Sequence, residues 1–188
     1  MHDTTKVKGS NLNEVWPFRG AVLRFADATG ASHAESSVIE AMTLDFFRLK
    51  LECIGAESEE ASIFFIGGTW VLDHFWHTLI LDTRLYARFC DAFFGTFIHH
   101  TPRLSERDSD AAPTEEEIRS QVRLSTRLLG SAKTRALFLG LAEVYGTLPR
   151  KKVSPIEGAL SLLNHPLIAP YRESNSMSLD LPTSNDSV

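Results

Sequence analysis

Apolar residues recur at three- and four-residue steps along most of this chain, the spacing that keeps one face of an α-helix out of water. The clearest run sets Val38, Ile39, Met42, Phe46, Leu49 and Cys53 on one stripe. Ser36 or Ser37 can cap its start and Gly55 its end. A second helix is expected from Gly67 or Thr69 to about Leu81. A third follows from Thr83 to Phe94, with Asp82 at its N-cap and Gly95 as its stop. So short a connection implies that these two helices pack as an antiparallel pair.

Further along, Thr114 and Glu117 have the spacing of a capping box, and acidic residues fill the favourable first turn. Another helix is expected over Ala132 to Tyr145, between Ser131 and Gly146. Ser154 and Glu157 repeat the capping-box spacing with Pro155 at the first helical position, and that helix should end before His165 and Pro166. The apolar stretch Gly20 to Phe25 is too short to assign. Strand-like alternation is scarce and there is no internal repeat. The pattern predicts an all-α fold, a single-domain irregular bundle of about five to six helices. It spans 16–172, between a flexible N-terminus (1–15) and a polar, disordered tail (173–188).

At 188 residues, 43% of them hydrophobic, the chain can bury a sizeable core, and its twelve phenylalanines make that core aromatic. A net charge of −5 argues against nucleic acid or an anionic membrane as a partner. The short basic run Arg150 to Lys152 reads as a solvated loop. Two cysteines make no disulfide framework, the N-terminus has no secretory core, and no apolar run approaches a membrane span. The expectation is a soluble cytoplasmic protein with reduced thiols.

Chemistry concentrates between Leu72 and Pro102. Four of the seven histidines lie here, His74, His77, His99 and His100, among Asp73, Asp82, Tyr86 and Cys90. On a helix Asp73, His74 and His77 share a face, and Tyr86 and Cys90 share another on the next helix. Imidazole and carboxylate donors suit iron, zinc or copper, so His77, His74, His99 and His100 are the candidate metal ligands. Asp73 is a further ligand, or the acceptor that orients His77. Asp73, Tyr86 and Cys90 are the candidate catalytic groups, the last two for proton transfer or substrate contact.

After Gly95 the chain must fold back by about 10–15 Å, at about 3.3 Å per extended residue, to bring His99 or His100 beside His77. Its length allows this for either histidine. The same residues can instead be core side chains, and Cys90 a small buried hydrophobe. No nucleotide-cradling glycine loop, H-E-x-x-H or G-x-S-x-G is present, so no nucleotide cofactor is indicated. Two functions follow. One is a small metal-dependent enzyme, an oxygenase or hydrolase acting on a small, partly apolar molecule. The other is a non-catalytic interaction module whose polar cluster is a structural hydrogen-bond network.

The pattern D-x-x-W-H-x-x-I-L-D-T-x-x-Y-x-x-F-C from Asp73, followed by F-G-x-F-I-H-H-x-P from Phe94, resembles the core of the glycine-rich domain-containing protein family. The likeness extends loosely over residues 35 to 150. It lends weight to Asp73, Trp76, His77, Asp82, Tyr86, Cys90, His99 and His100. Family members usually carry W-H-x-H, and Leu79 stands where the second histidine would be. The resemblance implies that a ligand has been lost there, unless His74 replaces it.

Overall fold

Helix α1 (Arg19–Thr29) forms where the apolar stretch is too short for the sequence pattern alone to assign an element. A computed structural model of the protein describes residues 18–55, 63–100, 113–145 and 159–176. Every regular element among them is helical, as the apolar spacing predicts. Segment 1–15, Ser154 to Glu157 and the tail beyond Ser176 lie outside the described residues.

Helix α2 (His33–Gly55) is the central rod and packs against α1, α3, α5, α7 and α8. Its N-terminus is closed by Ser32 and Glu35, whose carboxylate accepts from the Ser32 amide (2.7 Å) and hydroxyl (2.8 Å). A single 3₁₀ turn, Gly67–Thr69, leads into α3 (Trp70–Ile80). Asp82 then caps α4 (Thr83–Phe94), accepting from the Leu85 amide at 3.2 Å. Gly95 ends α4 at φ 69°, a left-handed conformation that side chains disfavour.

Thr114 and Glu117 form the expected capping box on α5 (Glu115–Arg135). Gly130 interrupts that rod with non-helical backbone (φ 81°, ψ 164°). The break falls just ahead of the helix expected from Ala132. Past the break the rod continues through a π-turn, Ala136–Gly140, into α6 (Leu141–Tyr145). Helix α7 (Ala159–Asn164) ends before His165, as expected, and a 3₁₀ turn leads to α8 (Ala169–Ser176).

The core is built from rings. Phe47 of α2 meets Trp76 of α3 edge-on at 5.1 Å and reaches Phe89 and Phe94 of α4. Phe18 and Phe89 pack edge to face at 5.2 Å. Such pairs add about 0.5–1.5 kcal/mol each beyond the area they bury. Trp76 and its neighbours on α3 are thus held firmly, and the opposite side of α3 carries the polar residues.

Candidate metal centre

Asp73 and His77 are one turn apart on α3, so they project from the same side. Their facing atoms, Oδ2 and Nδ1, lie 3.6 Å apart. His100 arrives from the segment after α4. Its Nε2 lies 2.9 Å from Nε2 of His77 and 3.2 Å from Oδ1 of Asp73. Among the described residues this is a group of three donors whose ligand atoms all fall within 4.8 Å of one another. It opens to solvent mainly through His77, whose side chain is 41% exposed, while that of His100 is only 10% exposed.

Two neutral imidazoles can meet nitrogen to nitrogen only if one carries the proton and the other accepts it. Either ring can be the donor, depending on the tautomer. A cation fits the same convergence. Two imidazoles on one metal at about 2.0–2.1 Å are set about 2.9–3.4 Å apart for bond angles between octahedral and tetrahedral.

His100 reaches this position because three contacts fix the segment behind it. Its ring lies against Trp76, with centroids 4.3 Å apart. The Trp76 indole N–H donates to the Tyr86 hydroxyl (3.0 Å), which donates to the Ile98 carbonyl (2.7 Å). Tyr86 and Cys90, four apart on α4, are both buried. Burial pushes the Tyr86 phenol well above its ordinary range. It also pushes the Cys90 thiol up, against smaller opposing effects of the Ile98 backbone and the Tyr86 hydroxyl. Neither group has the solvent access or the depressed pKa of a nucleophile.

Of the expected ligands, the structure brings His77 and His100 together, with Asp73. His74 lies edge-on to Trp70 at 5.3 Å and gives no atom to the three-donor group. His99 is exposed and packs on Phe97 at 4.9 Å. The position of Leu79, where a second histidine would follow His77, is fully buried in the core on the other side of α3. A ligand there could not join Asp73 and His77 without turning the helix.

Lys50 also lies beside this site, with no signal in the sequence to mark it. Its ammonium lies 5.7 Å from the Trp76 ring centroid, and burial lowers its pKa. No local motif marks it, because its neighbourhood to Trp76 arises from the packing of α2 on α3.

A family model described as UCP032817-like matches residues 32–130, just over half of the chain, and the chain belongs to that family. This corrects the resemblance to glycine-rich domain-containing proteins. Over residues 35 to 150 that likeness is specific only within 73–102, and its W-H-x-H signature is broken at Leu79. No curated protein and no solved structure gives a significant match.

Proposed function

We propose that this member of the UCP032817-like family is a small metal-dependent enzyme, with Asp73, His77 and His100 holding the metal. The observation that carries the reading is the approach of two imidazole nitrogens and a carboxylate oxygen from a helix and a loop. Two histidines and one carboxylate on one side of a metal are the donor set of non-haem iron oxygenases, and iron(II) is our first assignment. Zinc with a similar set would make the protein a hydrolase. A metal bound there would supply the activation of dioxygen or water.

Asp73 balances the charge and orients His77, and His77 faces the side from which substrate enters. The aromatic surroundings suit a small, partly apolar molecule. No helix among the described residues is long and apolar enough to cross a membrane. Cys53 and Cys90 are free thiols, which suits a reducing compartment, and we place the enzyme in the cytoplasm.

A second reading is supported by one contact. The bond between the His77 and His100 nitrogens closes the cluster without an ion, as a structural network in a non-catalytic interaction module would. Elemental analysis of untagged protein separates the two. The enzyme reading expects about one metal per chain in wild type and its loss in His77→Ala, since deprotonated ligands and metal uptake go together. Metal-free wild type after supplemented growth, with His77→Ala only less stable, would establish the module instead.

A further inference from the structure

The third ligand lies on a loop, and the structure shows what aims it. Residues 97–100 alternate between exposed and inward-facing: Phe97 and His99 are exposed, Ile98 is buried and His100 is mostly covered. The Ile98 carbonyl accepts the Tyr86 hydroxyl, and the same hydroxyl accepts the Trp76 indole N–H. Trp76 in turn supports the His100 ring. One buried phenol therefore ties the ligand loop to the helix that carries the other two donors.

We infer that Tyr86 is the positioning residue of the metal centre, holding the Ile98 carbonyl so that His100 meets His77 and Asp73. The inference rests on the metal-centre reading and reassigns Tyr86. Its proton is committed to a backbone carbonyl, so it transfers none to substrate. Its role is to make the loop ligand as well placed as the helical ones. A ligand whose support is removed must be ordered by the metal itself, and loss of such support typically weakens binding by about 10–100-fold. The coupling runs both ways, so metal should also hold the loop.

The test uses the full chain and cobalt(II), whose visible absorption reports the number and kind of ligands. Tyr86→Phe should bind cobalt(II) about 10–100-fold more weakly than wild type, with a changed spectrum. The proton–proton contacts between the His100 and Trp76 rings should weaken in metal-free Tyr86→Phe. Phe93→Leu, a core change on the same helix, should lower stability but leave cobalt affinity and spectrum unchanged. Wild-type affinity and intact ring contacts in Tyr86→Phe would overturn the inference and leave the metal-centre reading standing.

Hydrogen exchange of the wild-type chain needs no variant. Cobalt(II) should slow exchange over residues 96–100 by at least about 10-fold, and unchanged exchange there overturns the inference. A wild-type chain that takes up no cobalt would overturn the metal-centre reading and this inference with it.

Discussion

The Nε2 atoms of His77 and His100 lie 2.9 Å apart although 23 positions separate the two residues in the chain. The neighbouring His99 points away, exposed against Phe97. This predicts a sharp contrast within one dipeptide. His100→Ala should abolish stoichiometric metal binding and lower metal-free stability by about 1 kcal/mol through the lost contact with Trp76. His99→Ala should change metal content not at all and stability by less than about 0.5 kcal/mol. Metal analysis and urea unfolding of both variants check this, and equal losses would show that the loop does not discriminate between them.

Much of this arrangement is legible in the sequence. The caps at Asp82 and Thr114, the stop at Gly95, and the helical spacing between them are local signals, and local signals fix helix ends. Asp73 and His77 share a face by helical geometry alone. The choice between His99 and His100 is a tertiary matter, though one local clue bears on it. In an extended segment alternate side chains face the same way, so the apolar Ile98 points inward together with His100. The long-range contacts of Tyr86 with Ile98 and of Lys50 with Trp76 have no such signature, because they depend on how α2, α3 and α4 pack. Helix α1 escaped assignment because only Ala21, Val22, Phe25 and Ala26 of its short span, with Thr29, face the core.

Glu40 predicts a pH dependence of stability. It is half-buried on α2, and burial raises its carboxyl from an ordinary 4.5 to about 7. Between those values the folded chain binds a proton that the unfolded chain has released. Stability therefore falls as pH rises from about 4.5 to about 7, and stays at the lower value above that. Allowing for its partial exposure, the loss attributable to this group is about 2 kcal/mol. Glu40→Gln should remove that slope and be the more stable protein at pH 8. Urea unfolding of both proteins across the range checks it, and parallel profiles would exclude Glu40 as the source.

Asp45 predicts an asymmetry between charge partners. Its buried carboxylate accepts from Arg48 at 2.5 Å and from Lys133 of α5 at 2.8 Å, and the Lys133 ammonium also lies 5.0 Å from the Tyr171 ring centroid of α8. Asp45→Ala removes both charged bonds at once but leaves two cations that are each partly exposed, so it should lower stability by about 2–3 kcal/mol. Lys133→Met leaves Asp45 its bond to Arg48, and Lys133 is itself partly exposed, so its loss should be about 1–2 kcal/mol. Equal effects in denaturant titrations would mean that Arg48 contributes nothing to holding the carboxylate.

Gly68 predicts where α3, and with it the metal centre, is anchored. The 3₁₀ turn before α3 crosses α6 so closely that a Cβ on Gly68 would lie 1.8 Å from the Leu141 carbonyl oxygen and 2.2 Å from its carbon. Those are backbone atoms of a helix and cannot swing aside. Next to it, the Trp70 indole N–H donates to the Tyr145 carbonyl at 3.3 Å, which ties the first residue of α3 to α6 as well. Gly68→Ala must therefore push α6 from the start of α3, at about 3 kcal/mol or more. Gly67, one residue earlier, has φ 53° but leaves 3.6 Å to the nearest atom. Gly67→Ala should meet only the left-handed backbone penalty of about 1–2 kcal/mol. Thermal unfolding of the two variants separates steric contact from backbone strain. If Gly68→Ala were no less stable than Gly67→Ala, α6 would have to yield freely, and the crossing could not be what fixes the origin of the helix bearing Asp73 and His77.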